Sequence, residues 1–351
     1  MGGMPMMWRS RETRFDVASA ISQGKRDYQE DAVMAEFPIG ADYGYAILAD
    51  GMGGHAAGDV ASKMVLTEVY SAMKFHTSNI LSFEENAPQV LNNVAFAANE
   101  CLKNHVSTNP DVKGMGATLV VPAIVEDNLF WISIGDSPLY LMRGGKLRQL
   151  NEDHSMAPQI DLMVSSGLMD EEIGRNHPDR NCLTSVLLGA KVSRIDCPSE
   201  PFKLQAGDII VVASDGVQFL SDDKIERIIY RNRKRRSSEI ADKLLSTVEA
   251  LGDPDQDNIS FSVIKINHTA RASFRLKSKD AAMAAAEAKA ILKEADLEPV
   301  EFSERRERVT KLVPLEDAAE GAEVVQLNNA DDGKDPRKAT AKLFAAGDRR
   351  S

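Results

Sequence analysis

Two hydrophobic periods alternate along the chain. Runs in which apolar residues are continuous or fall at every second position read as strands, and stretches in which they recur at intervals of three and four read as helices. By this pattern Phe15 to Ser22, Val33 to Phe37 and Gly44 to Asp50 are strands. A helix from Asp59 to about Phe75 follows, then a second from Ala87 to His105 with Val90, Val94, Ala97 and Cys101 spaced along one face. Strands return at Ala117 to Val125, Leu129 to Ile134, Leu139 to Arg143 and Lys146 to Gln149, a meander in which the step from Met142 to Lys146, MRGGK, is a hairpin turn. Ser155 to Asn181 has no strand pattern; it reads as short helical pieces, either a flap over a cleft or a long connection. Further strands are expected at Leu183 to Leu187, Arg194 to Lys203 and Asp208 to Ala213. Ser221 is expected to cap a helix running to about Arg231, Ser237 to Ala250 is another helix, and Asn258 to Asn267 is the last strand.

Many strands, with one helix pair after the third and another before the last, predict an α+β architecture. A central antiparallel sandwich packs sheet on sheet and the helix pairs cover its outer faces, a four-layer α-β-β-α stack. Beyond Ala270 the composition changes. Ala281 to Glu294 is alanine-rich and reads as an exposed helix, while Glu316 to Ser351 is acidic, then mixed, with few large apolar residues and no period, the composition of a disordered tail. The expected division is an N-terminal extension over 1–13, a single domain over 14–268 and a C-terminal extension over 269–351.

The composition narrows the class. A chain of 351 residues with 43% hydrophobic content can build a substantial core. A formal charge of -11 argues against nucleic acid or an anionic membrane as the main partner, since both favour a basic face. No apolar run approaches the roughly 20 residues of a membrane helix, and MGGMPMMWRS lacks the apolar core of a signal peptide, so a cytoplasmic protein is expected. Cys101, Cys182 and Cys197 are scattered without a CxxC step; they are expected to be reduced and buried, and neither a disulfide framework nor a thiolate zinc site is supported.

Candidate chemistry gathers at strand ends. Asp50 closes an apolar run and is followed by Gly51, Gly53 and Gly54; Asp136 follows LFWISIG, Asp215 follows DIIVVAS, and Asp257 precedes NISFSVIKI. Singly, each is an ordinary turn aspartate. Four together suggest strand ends converging on a hard cation, because magnesium and manganese take oxygen donors in near-octahedral array and retain several waters. Asp50, with the Gly51 carbonyl, can serve two ions at once, and two cations about 4 Å apart activate a shared water as a nucleophile at neutral pH.

The motifs RDYQEDA from Arg26, DGMGGH from Asp50, GATL from Gly116, GDS from Gly135, NEDHS from Asn151, SDG from Ser214 and DNIS from Asp257 occur in an order that resembles the metal-dependent serine/threonine protein phosphatases of type 2C, bacterial branch, over residues 14 to 267. The resemblance implies hydrolysis of phosphoserine and phosphothreonine in proteins, with two Mn2+ or Mg2+ ions and a third, weaker site. It implies that Asp50 bridges the two ions, that the Gly51 carbonyl binds one, and that Asp215 and Asp257 complete the other. Asp31 then holds metal-bound water with Glu30 nearby, Asp136 supports the third ion with Asp215, and Arg26 grips the substrate phosphate in a task suited to a guanidinium. His55, or a metal-bound water, is the candidate acid for the leaving group, because Met52 stands where eukaryotic relatives carry a histidine. The implied partners are a phosphoprotein and an opposing serine/threonine kinase, and a monomer is expected.

Three positions depart from the family pattern. Pro138 and Ser185 stand where arginine is common in relatives, and Gly116-Ala117-Thr118 replaces Gly-Thr-Thr. The first two remove a charge near the site, which bears on substrate preference. The rival reading is a catalytically silent regulator that keeps the fold to bind a phosphoprotein. A purely structural calcium site would require a DxDxDG loop, which the chain lacks. His154 is expected to pin the loop before the flap, and the basic run Arg231 to Arg236 to be a solvated helix end.

Overall fold

The structure, a computed structural model, describes residues 13–53 and 57–269. Its elements in chain order are β1 (Phe15–Ser22), β2 (Asp31–Glu36), β3 (Tyr43–Met52), α1 (Ala57–His76), α2 (Ile80–Thr108), β4 (Gly116–Ala117), β5 (Leu119–Val125), β6 (Asn128–Ile134), β7 (Leu139–Arg143), β8 (Lys146–Gln149), α3 (Ala157–Ser165), α4 (Glu171–Arg175), β9 (Phe202–Lys203), β10 (Ile209–Ala213), α5 (Asp222–Asn232), α6 (Ser237–Glu249) and β11 (Ile259–Ile266). By contact density the chain divides into Met1–Met283 and Ala284–Ser351; the architecture below belongs to the first unit. The expected helix over Ala281 to Glu294 and the tail from Glu316 lie outside the described residues.

Two antiparallel sheets form the sandwich. One runs β1-β11-β10-β7-β8 and the other β2-β3-β5-β6-β9, with β4 paired to β3. Alternation along each strand sorts side chains between two faces. Ala46, Leu48, Val120, Ile124 and Leu129 of one sheet meet Leu139, Leu141, Ile210, Val212 and Ile264 of the other in a core between the sheets. The intervening residues Tyr45, Ile47, Leu119, Val121 and Ile132 point outward and bury against Val65, Val69 and Met73 of α1 and Phe83, Leu91 and Leu102 of α2. Tyr140, Met142, Val211, Phe261 and Val263 do the same against Ile225 and Ile229 of α5 and Ile240, Leu244 and Val248 of α6. Both faces of the central strands are therefore dry, which is why β5, LVVPAIV, is buried at every position and shows no polar alternation. Truncating a filled position such as Leu141 to alanine would cost about 2–5 kcal/mol, since a stack closed on both sides cannot collapse into the gap.

Most elements fall where the periodicity places them. The MRGGK step is a tight hairpin between β7 and β8, with Gly144 at φ 60° and Gly145 at φ 85°, the left-handed pair such a turn requires. Four expectations are corrected. Leu183 to Leu187 and Arg194 to Lys203 are not continuous strands; they make isolated bridges, Ser155 to Leu183, Ala117 to Leu187 and Ser133 to Asp196, and only Phe202–Lys203 joins a sheet. Pro198 and Pro201 offer no N–H to a ladder, and side chains take over the backbone partners: Asn99 Nδ2 donates to the Ala190 carbonyl, and the Arg194 N–H donates to Ser185 Oγ. The second helix begins seven residues earlier than expected, at Ile80, because it is two helical pieces joined across a non-helical Asn86 (φ -122°, ψ 17°) just before Pro88. Ser221 makes no side-chain cap; its carbonyl accepts from the Lys224 and Ile225 N–H groups, while Asp222 and Asp223 supply the negative charge of the first turn. The cysteines are not fully buried: Cys182 is exposed, and Cys101 and Cys197 are half-buried.

Candidate active site

Antiparallel order brings the carboxylates to one end of the sandwich. Asp31 opens β2 and lies in register opposite Asp50, near the end of β3. Asp136 follows β6, Asp215 follows β10, and Asp257 sits two residues before β11. Asp31, Asp50 and Asp136 thus ride on one sheet and Asp215 and Asp257 on the other. Asp31 is buried, and the remaining four are half-buried.

These side chains sense one another. Burial foremost, and then the neighbouring carboxylates Asp215 and Asp257, push Asp31 up to about 7 against the lowering effect of hydroxyl donors. Asp50 is held well above the ordinary carboxylate range by burial and by Asp31, Asp215, Asp136 and Asp257. Asp136 rises to about 7 through burial and Asp215, and Asp215 to about 6 through burial and Asp257, with Arg26 opposing. Charge of one sign has been gathered out of water, an arrangement that costs free energy unless positive charge is supplied; among the described residues Arg26 pairs with Asp257, and Arg180, which lines the cleft, is paired with Asp161.

The backbone around Asp50 is fixed by hydrogen bonds. Its N–H donates to Thr118 Oγ1 at 3.0 Å, its carbonyl accepts from the Thr118 N–H at 2.8 Å, and Thr118 Oγ1 lies 2.8 Å from Ser137 Oγ. Asp31 Oδ2 accepts from Ser214 Oγ at 2.8 Å. At Gly51 the chain passes so close to its neighbours that a Cβ would stand 2.1 Å from the Gly58 carbonyl oxygen and 2.5 Å from that of Glu30, so no other residue fits. The Gly51 N–H donates to the Glu30 carbonyl at 3.0 Å. Glu30 reaches α1, where its carboxylate accepts from the Gly58 N–H, and burial raises it above the ordinary range.

Arg26 stands at the rim, half-exposed, with Nη2 2.5 Å from Asp257 Oδ2. Its loop is pinned by Asn258, whose Nδ2 donates to the carbonyls of Gln23 and Tyr28 and whose Oδ1 accepts from the Glu30 N–H at 2.7 Å. His55 lies outside the described residues. His154 is wholly buried, its Nδ1 accepting from the Gly135 N–H at 3.2 Å and its carbonyl accepting from Thr184, so it ties the GDS turn to the entry of the flap. Burial first, then Arg194, lowers its basicity. Pro138 contributes only a carbonyl, to the Ala213 N–H, and Ser185 donates to the Arg194 carbonyl at 2.7 Å, a loop contact in which an arginine would not fit without rearrangement.

Beside the carboxylates lies a cleft of about 460 Å³ that the start of α3 borders at Ala157, lined by Asp136, Asp153, Ser155, Arg180, Asp215 and Gln218. A smaller hollow of about 270 Å³ at the opposite end, beside Arg14 and Ile39, has no such gathering of carboxylates. The donors at the cleft are carboxylate and carbonyl oxygens, the set that magnesium and manganese accept and zinc does not favour. Among the described residues no three His, Cys, Asp or Glu side chains close around a single point. A cation here would accordingly be held by carboxylates in pairs, by the Gly51 carbonyl and by water, as an ion that keeps much of its hydration allows.

Three residues that hold the site were not assigned a role from sequence: Thr118, Ser214 and Asn258. Each lies inside a quoted motif; Ser214 and Asn258 stand directly beside Asp215 and Asp257, and that adjacency is the signal that could have found them, whereas Thr118 has no aspartate near it in sequence. Among the described residues no helix is long and apolar enough to cross a membrane.

Known proteins resemble this chain in sequence and in fold. A family model described as protein phosphatase 2C matches residues 19–256. The chain is 32% identical over 222 residues to the serine/threonine phosphatase stp of Listeria welshimeri, covering 63% of this chain and 84% of that protein. It is 30% identical over 224 residues to the protein phosphatase PhpP of Streptococcus pneumoniae, covering 63% and 85%. Among solved structures, the Mycobacterium tuberculosis serine/threonine phosphatase PstP/Ppp superposes with a TM-score of 0.60 at 28% identity, over 72% of this chain and 99% of that one. The catalytic domain of PstP in complex with two manganese ions gives 0.56 at 27% identity, over 72% and 97%.

Proposed function

The chain belongs to the protein phosphatase 2C family and is a metal-dependent serine/threonine protein phosphatase, and we propose that its active centre is the end of the sandwich where Asp31, Asp50, Asp136, Asp215 and Asp257 converge. The observation that carries this assignment is the meeting of five aspartates from two sheets, among which, within the described residues, only Asp257 has an ion-pair partner, Arg26. Asp50 and the Gly51 carbonyl, with Asp215 and Asp257, are assigned to two Mn2+ or Mg2+ ions, and Asp136 with Asp215 to a third, weaker one. When bound, these ions supply Lewis acidity toward the phosphoryl oxygens and toward water.

The protein's own residues do the remainder. Asp31 and Glu30 would accept hydrogen bonds from the attacking water and orient it. Arg26 is held over Asp257 by the Asn258-pinned loop; on substrate entry its guanidinium donates to two phosphate oxygens and stabilises the charge that spreads over them as the bond to the leaving oxygen breaks. Water attacks phosphorus, the serine or threonine alkoxide departs, and its proton comes from His55 or from solvent. No covalent phosphoenzyme is needed. The domain over 14–268 is the catalytic unit in this reading. Its substrate is a phosphoprotein, its physiological opponent a serine/threonine kinase, its compartment the cytoplasm and its working form a monomer.

The test is hydrolysis of a phosphothreonine peptide with manganese, with chelator and in Asp215→Asn. Turnover that needs the metal and falls by at least about 10³-fold in the variant supports the assignment. Stoichiometric binding of the phosphoprotein without turnover by the wild type would replace it with the silent regulator.

A further inference from the structure

The α5–α6 turn carries a cationic patch that the catalytic centre does not use. Arg231, Arg233, Lys234, Arg235 and Arg236 are all exposed, in a chain whose net charge is -11. Among the described residues Arg235 alone of the five forms an ion pair, with Glu239 at 2.9 Å. Glu239 is further engaged by the Arg236 backbone, and the nearby Asp16 carboxylate accepts from the Ser237 N–H at 2.8 Å. Arg231, Arg233 and Lys234 have no carboxylate partner among the described residues.

Folding alone does not account for this concentration. Cations at the C-terminal end of α5 complement its dipole, but Arg235 and Arg236 stand at the N-terminal end of α6, where a helix favours acids and where Arg236 gives no side-chain cap. Two helix ends of opposite polarity meet in one turn, and a single sign of charge covers both. Local preference is violated there with the Arg235–Glu239 pair as the one compensating ion pair among the described residues, the pattern expected of a surface kept for a partner. The turn is also rigid: the Arg233 guanidinium lies 3.9 Å over the Tyr230 ring and donates to the Tyr230 carbonyl, and Lys265 Nζ donates to the Arg235 carbonyl. An incoming anion would meet an ordered array, with less side-chain freedom left to lose.

Lys265 fixes where the patch lies. Asp257 precedes β11 at the catalytic end, and eight residues of extended chain place Lys265, and the turn it touches, about 25 Å away toward the other end of the sandwich. From these observations we infer that the α5–α6 turn is a docking surface for an acidic segment of a protein partner, one that holds a phosphoprotein substrate at a point remote from its phosphorylated residue. An acidic peptide fits better than duplex nucleic acid or a membrane, because a large polyanionic surface would also confront the negative remainder of the molecule, whereas a short segment meets only the patch. A substrate spanning both points needs at least about eight extended residues between its acidic run and its phosphorylated residue. What the docked segment accomplishes rests on the proposed phosphatase reading; that it docks does not.

The experiment measures the fluorescence anisotropy of a fluorescein-labelled decaglutamate peptide with the full chain, and p-nitrophenyl phosphate hydrolysis with manganese in parallel. Saturable binding is expected that weakens with added salt, and that weakens at least about tenfold in the triple variant R231E/R233E/K234E. The neutral triple R231Q/R233Q/K234Q, expected to weaken binding less, covers the case in which reversal impairs folding. Neither variant nor saturating decaglutamate should change p-nitrophenyl phosphate turnover. Binding unchanged in both variants, decaglutamate that competes with p-nitrophenyl phosphate, or equally tight binding of duplex DNA or anionic phosphatidylserine vesicles would each overturn the docking surface. Decaglutamate binding without manganese-dependent hydrolysis would instead leave the surface standing and remove the phosphatase assignment.

Discussion

The two ends of the sandwich treat charge in opposite ways. At the end away from the cleft, Arg14 is buried but answered: its guanidinium meets Asp42 at 2.8 Å and Asp127 at 2.9 Å and donates to the Glu126 carbonyl. Arg143 grips the buried Asp208 with both Nε and Nη2, and Asp208 also accepts from the Gln205 N–H. At the cleft end five carboxylates gather, and among the described residues only Asp257 has an ion-pair partner, Arg26. Charges that the protein matches itself hold loops together; charges that it leaves unmatched wait for something from outside. The difference between structure and function in this molecule is a difference in electrostatic completeness.

The sharpest way to break that contrast is Asp50→Asn. It should reduce manganese-dependent turnover by at least about 10³-fold, yet raise the unfolding midpoint measured in chelator, because it removes one charge from a repelling group without changing shape. A lower midpoint would mean that Asp50 belongs with the self-matched charges. Next in size, Arg14→Ala strands two carboxylates and should destabilise the fold by about 3–5 kcal/mol in urea titration while leaving turnover per folded molecule intact. Third, manganese at a hundred times its dissociation constant should stabilise the wild type by about 2.7 kcal/mol, seen as a raised melting temperature that chelator reverses. Asp50→Asn should lose most of that gain, whereas Arg143→Ala should retain it. The smallest effect is expected for Ser185→Ala, which forfeits the link between the Ser185 hydroxyl and Arg194 and should cost about 1 kcal/mol with turnover unchanged. A large loss of activity there would move Ser185 from loop anchor to participant.

Much of this was legible in the sequence, for identifiable reasons. Strands buried on both faces, such as β5, and hairpins that need paired glycines, such as Gly144-Gly145, have local signatures, and the aspartates could be found because each closes or opens such a strand. The segment from Leu183 to Lys203 was misread because its apolar residues satisfy their backbones through side chains remote in sequence, Asn99 above all, and no periodicity reports that. The start of α2 was missed because Pro88 breaks a helix that tertiary packing resumes. The position of Arg26 on Asp257 depends on Asn258, 232 residues away in the chain; sequence supplied the residue but not the tether.

Because Asp31, Asp50 and Asp136 belong to one sheet and Asp215 and Asp257 to the other, a divalent ion shared among them would act as a rivet through the two plates of the sandwich. Slippage between the plates, set by how Leu48 and Val120 mesh with Leu141 and Val212, would then register as altered ion affinity. Mutations in that greasy seam, far from any substrate, should tune the enzyme's appetite for metal.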